Sequence, residues 1–164
     1  VPNTEPDEAG KLMMALNVRQ AAKDLSGAVA FLQTSGAVST AGVGVIGFCM
    51  GGGLALVLAC EQPEAVQACA PFYGLIPWEG AEPDWSKLGA KVRGQYAEND
   101  DYFGPPAVAG LQAKLDAAGK DASFTIHSGA HHAFFNDTRP EVYDADAAQQ
   151  AWDATLDFFR SELK

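Results

Sequence analysis

One segment constrains this chain more than any other: Val43-Gly44-Val45-Ile46-Gly47-Phe48-Cys49-Met50-Gly51-Gly52-Gly53-Leu54-Ala55. An apolar run, a cysteine flanked by glycines and a run of small residues read as a buried strand, a sharp turn and a helix. This is the pattern of a nucleophile elbow, G-x-nucleophile-x-G, with a thiol where a hydroxyl is commoner. Gly47 and Gly51 are expected to let the backbone close around Cys49 without a Cβ clash. The helix N-terminus that follows favours a thiolate, and the Met50 N–H is expected to supply half of an oxyanion hole. The plain alternative for Cys49 is a small buried hydrophobe, but its place at the apex favours a nucleophile. Gly42 to Gly47 also matches G-x-G-x-x-G. That fingerprint must follow a strand and open a helix, whereas here it lies within the strand, which argues against a dinucleotide site.

The rest of the chain alternates strands and helices, as an α/β fold requires. Residues 1–10 are polar and contain prolines, and are expected to be flexible. Val18, Ala22, Leu25, Val29 and Leu32 recur at helical spacing over 18–33, with Gly36 as the stop. Strands are predicted over 42–48, 66–72, 91–97 and 123–127, and helices over 50–61, 105–119 and 141–163. The penultimate helix should turn Ala107, Leu111 and Leu115 inward, and the last one Trp152, Leu156 and Phe159. Loops carry Pro77, Trp78, Pro83 and Trp85, then Glu98 to Asp101, then Ser128 to Pro140. The expected architecture is a single domain over residues 1–164, with a parallel sheet of about four strands flanked by helices. The elbow strand reads as central, yet the sequence supplies neighbours on one side of it only. An open apolar edge is an aggregation hazard, so either strands are missing or a second copy or second chain covers it.

Charge and cysteine usage narrow the function. A net charge of −10 argues against nucleic acid, whose phosphates need clustered Lys and Arg. Three cysteines leave one unpaired in any disulfide scheme, which fits a reducing, cytoplasmic setting. No stretch has the length and purity of a membrane span, and no signal peptide is visible. The chain opens on Val1 and not on Met, as expected of a chain that is processed, tagged or cut from something longer.

A cysteine nucleophile needs a base, and the base needs an orienting acid. Loops at the expected carboxyl ends of the strands offer Cys49, then Asp100 or Asp101, then His131 or His132. Nucleophile, acid, histidine is the chain order of α/β hydrolases. The paired histidines could instead bind a metal, but no further ligands stand at tight spacing, so no metal and no cofactor is expected. Aromatic residues crowd the same loops. Tyr73, Tyr102, Phe103 and Phe134 are expected to contact substrate above Cys49.

These pieces together resemble the dienelactone hydrolase family: Gly47-Phe48-Cys49-Met50-Gly51-Gly52, Pro71-Phe72-Tyr73-Gly74, Ala97-Glu98-Asn99-Asp100 and His132-Ala133-Phe134. Lys23-Asp24-Leu25 with Ala28 resembles the helix ahead of that family's nucleophile strand. The likeness covers about residues 18 to 160. It implies an α/β-hydrolase fold and a carboxylic ester hydrolase of the carboxymethylenebutenolidase type, cleaving small esters or lactones. It also implies roles: Cys49 nucleophile, Asp100 orienting acid, His132 base, with Asp101 and His131 as neighbouring second choices. Members of the family usually carry several more strands ahead of the helix at Val18. Those strands bring a second oxyanion donor, a Glu near the thiol and a substrate-binding Arg, none of which is placed on this chain. A further family Arg falls where this sequence has Asn136, with Arg139 nearby.

Two other readings follow from the residues. One is a non-catalytic α/β scaffold that binds a partner through its open sheet edge. The other is a thiol redox sensor, for which neither Cys60 nor Cys69 is a resolving cysteine in the right place.

Overall fold

The computed structural model describes residues 6–36, 38 and 42–163. Its elements are α1 (Pro6–Met14), α2 (Val18–Thr34), β1 (Val43–Phe48), α3 (Met50–Glu61), β2 (Val66–Phe72), β3 (Lys91–Asn99), α4 (Pro105–Ala117), β4 (Ala122–His131) and α5 (Ala145–Glu162). A single 3-10 turn, Trp85–Lys87, interrupts the loop before β3. The four strands form one parallel sheet in the order β1-β2-β3-β4, the simplest result of right-handed crossovers between sequential strands. This is the α/β architecture expected from the alternation of apolar runs and helical stretches.

Two apolar clusters fill the molecule. Leu56, Cys60, Leu111 and Leu115 from α3 and α4 meet Val43, Val66, Cys69 and Val92, with Val29 of α2 alongside. Ala147 and Ala151 of α5 meet Ala70, Phe72, Ala97 and Ala130. Because α3 is apolar all round, it is buried from Gly52 to Cys60 apart from half-buried Leu54. Its small residues permit the close approach. A Cβ on Gly47 would run into the Gly51 carbonyl, and one on Gly74 into the Cys49 carbonyl. Gly51, expected to share that role, faces open space, so the tight packing at the elbow depends on Gly47 and Gly74 instead.

The elbow strand is not central. Among the described residues β1 pairs with β2 alone and forms the edge of the sheet. Val45 and Ile46 are half-buried there and Phe48 is 37% exposed.

Other boundaries shift for identifiable reasons. Of the segment expected to be flexible, residues 1–5 lie outside the described residues and 6–10 open α1, which the Trp78 indole N–H ties down by a 2.8 Å bond to the Met13 carbonyl. β4 runs on to His131, not His127, because Glu98 accepts from the Ser128 hydroxyl and the Gly129 N–H, while the Asn99 amide donates to the Gly129 carbonyl. A register shift between Ala97 and Asn99 accommodates the extension. α5 starts at Ala145 and not Glu141, since Asp144 caps it by accepting from the Ala147 N–H at 3.0 Å. Its buried face is Ala148, Ala151, Thr155 and Phe158, with Trp152 displaced outward onto Phe135. In α4 Val108 replaces Ala107 on the inner face.

Candidate active site

Three strand ends meet at the carboxyl edge of the sheet, and each carries one reactive side chain. Cys49 leaves β1 and caps α3 with φ 51° and ψ −120°, a left-handed turn at a non-glycine residue. Its backbone N–H bonds the Phe72 carbonyl at 3.0 Å and its own carbonyl accepts from Gly52 at 2.9 Å, which fixes the bend. Asp100 follows β3, and His132 follows the extended β4. Among the described residues, Tyr73 (φ 35°) and Ala133 (φ 67°) are the other non-glycine positions with positive φ, at the ends of β2 and β4. Strain of this kind costs about 1–3 kcal/mol per residue and gathers where a site must be held open to a ligand.

The three side chains form one hydrogen-bonded series. His132 Nε2 lies 3.2 Å from Cys49 Sγ, and His132 Nδ1 lies 2.8 Å from Asp100 Oδ2. The other Asp100 oxygen, Oδ1, accepts from the backbone N–H groups of Tyr102 and Phe103 at 2.8 and 2.9 Å. The Asp100 side chain is fully buried, so its charge has no water to answer it and is answered by these donors. Tyr73, Tyr102 and Phe103 stand around the imidazole, the first two edge-on at 5.2 Å. Beneath them the buried Tyr96 hydroxyl donates to the Gly74 carbonyl at 3.0 Å, fixing the residue that abuts Cys49.

Electrostatics follow from the contacts. The hydrogen bond with His132 lowers the Cys49 pKa below its ordinary 9.0, overcoming the burial that would raise it, and the Met50 N–H aids in the same direction. Burial alone would lower His132, but its bonds to Asp100 and Cys49 push it up to about 9. Asp100, despite burial, is held low by His132 and by the two backbone donors. The pair is thus biased toward thiolate and imidazolium, and proton loss belongs to the pair as a unit. Such an arrangement offers a sulfur eased toward ionisation, a proton donor beside it and a backbone N–H at a helix N-terminus.

The sequence-predicted residues separate clearly. Cys49, Met50, Asp100, His132, Tyr73, Tyr102 and Phe103 are brought together. His131 is exposed at the end of β4 and Asp101 is exposed on the rim, while His132 and Asp100 make the internal contacts. Phe134, expected at the substrate, is fully buried between Tyr73 and His127 and belongs to the core. Sequence reasoning missed α1. Gly10, Met13 and Met14 line the same cleft of about 740 Å³ as Cys49 and His132, and so does Arg139. The tie from Trp78 to Met13 spans 65 residues, and no local pattern announces it. No group of three or more His, Cys, Asp or Glu side chains is gathered for a metal among the described residues, and no helix there is long and apolar enough to cross a membrane.

Comparison with known proteins places the chain in a family. The profile of the dienelactone hydrolase family matches residues 2–163. Protein usf of Aquifex pyrophilus is 34% identical over 161 residues, covering 96% of this chain and 69% of its own length. A protein of Aquifex aeolicus provisionally named a carboxymethylenebutenolidase is 32% identical, covering 97% of this chain and 69% of its own. Among solved structures, a dienelactone hydrolase-like promiscuous phosphotriesterase from metagenomic libraries superposes with a TM-score of 0.79 at 21% identity, over 90% of this chain and 64% of that one. At that identity the likeness speaks for the α/β-hydrolase fold alone. This chain spans about two thirds of the length of each of these three proteins.

Proposed function

This chain belongs to the dienelactone hydrolase family, and we propose that it hydrolyses small esters or lactones through Cys49, His132 and Asp100. The observation that carries this reading is the continuous series Sγ–Nε2 at 3.2 Å and Nδ1–Oδ2 at 2.8 Å. In the proposed reaction the Cys49 thiolate attacks the acyl carbon, forming the C–S bond while the carbonyl electrons move onto oxygen. The Met50 N–H stabilises that oxyanion. Collapse breaks the C–O bond, and His132 Nε2 gives its proton to the departing alkoxide, leaving a thioester on Cys49. The neutral imidazole then takes a proton from water as the water adds to the thioester. The second collapse expels the thiolate and releases the carboxylic acid. Asp100 keeps the ring in one orientation and favours its charged form throughout.

The test is turnover of p-nitrophenyl acetate by the purified chain and by Cys49→Ala. Loss of turnover in the variant is expected, and full activity without the sulfur would eliminate the mechanism. The one-sided pairing of β1 favours a second reading, in which a second copy or another chain adds a strand to that edge. Sedimentation velocity at tens of micromolar tests it: a monomer with full ester turnover leaves it without support.

A further inference from the structure

The cleft over Cys49 has an unusual wall. Met13 and Met14 of α1, Met50 at the start of α3, and Pro77, Tyr102 and Phe103 supply its apolar lining, with Met14 partly turned to solvent. Three thioethers and two aromatic rings make a surface that is apolar and easily deformed, suited to flexible hydrocarbon. Charge at the cleft points the same way. Among the described residues Arg139 is the one lining side chain of fixed positive charge, and its Nε is engaged by Glu141 at 2.9 Å. Asp101 adds a carboxylate on the rim, and Asp100 lies buried behind the imidazole. The chain as a whole is strongly acidic, with a net charge of −10.

From this lining we infer that the substrates are uncharged esters with an apolar acyl chain of about four to eight carbons, and that Met13 sets the preference for chain length. The inference rests on the ester-hydrolase reading above and narrows it. An acyl tail laid along α1 covers the methionines and loses water, whereas a terminal carboxylate in the same place meets Asp101 and has to share Arg139 with Glu141. α1 is suited to this work because its backbone is pinned at Met13 itself by the Trp78 indole.

The experiment compares kcat/KM for three p-nitrophenyl esters with one leaving group: acetate, hexanoate and the monoester of adipic acid. Hexanoate is expected to exceed acetate by about tenfold, roughly what four methylenes give in a half-open cleft. It should exceed the equally long but anionic adipate ester by a similar factor. Met13→Ala should shrink the hexanoate-to-acetate ratio at least about threefold, and Met13→Leu should retain it. An adipate ester that equals or beats hexanoate overturns the inference, as does a ratio that Met13→Ala leaves unmoved. Should no ester be turned over, the hydrolase reading alone fails, and the cleft is read instead through alkylation of Cys49. N-hexylmaleimide should then react at least about threefold faster than N-ethylmaleimide, and iodoacetamide should outpace iodoacetate by more than it does on free cysteine. Equal ratios there overturn the inference independently of turnover.

Discussion

The mouth of the sheet and the layer beneath it each hold thiols, and the two places treat the same functional group in opposite ways. Cys49 stands at the N-terminus of α3, half-buried, against an imidazole at 3.2 Å, and its pKa falls. Cys60 sits near the other end of the same helix, where burial pushes it up to about 12. Cys69 lies inside β2, fully buried, and burial drives it up as well. Helix polarity contributes to the contrast, since the N-terminal end favours an anion and the C-terminal end opposes one. Reactivity is therefore a property of the position. The elbow brings the sulfur to the imidazole, and the packing below withholds both water and a partner.

The largest expected effect tests that contrast directly. Cys49→Ala should lower ester turnover by at least about a thousandfold, while Cys60→Ala and Cys69→Ala should stay within about threefold of the parent. A comparable loss in a folded Cys69→Ala protein would break the comparison. Alkylation sharpens it: peptide mapping after brief iodoacetamide treatment should find Cys49 modified at least about a hundredfold faster than the two buried thiols, which should react only after unfolding. Next in size, Asp100→Asn should reduce kcat by about a hundredfold or more, because the imidazole loses its orienting acceptor.

A pH profile follows the two steps in which the pair loses its protons. Activity should rise as pH passes the lowered pKa of Cys49 and the sulfur ionises, then fall near pH 9, where His132 gives up the proton that the leaving group needs. A plateau continuing beyond pH 10 would contradict the role of His132, and in Asp100→Asn the falling limb should move to lower pH. The smallest effect is structural. Cys69→Ala removes a buried sulfur beside Val66 and Val92 and should cost about 1 kcal/mol in urea unfolding.

Much of this was readable in the residues. The glycines around Cys49 and the order of Cys49, Asp100 and His132 carried the elbow and the three strand ends, since local backbone demands and chain order are written directly in sequence. What was not readable depends on contacts distant along the chain. β4 extends past His127 only because Glu98 and Asn99 bind Ser128 and Gly129 from the neighbouring strand. Phe134 is expected among the substrate contacts with the other loop aromatics, but after the left-handed turn at Ala133 it lies in the core. Met13 reaches the cleft through an indole that belongs to another loop. The acidic pair and the histidine pair were ambiguous for a related reason: adjacent residues differ in direction, and direction is decided by the register of β3 against β4.

The edge position of β1 carries one more consequence. The sulfur rides on the outermost rung of the ladder, the part of a sheet that lifts first on warming. A shift of an ångström there separates Cys49 from a histidine held at the end of β4, three strands away across the sheet. Heat should thus silence the chemistry several degrees before calorimetry records the melting of the whole domain, and cooling should bring it back.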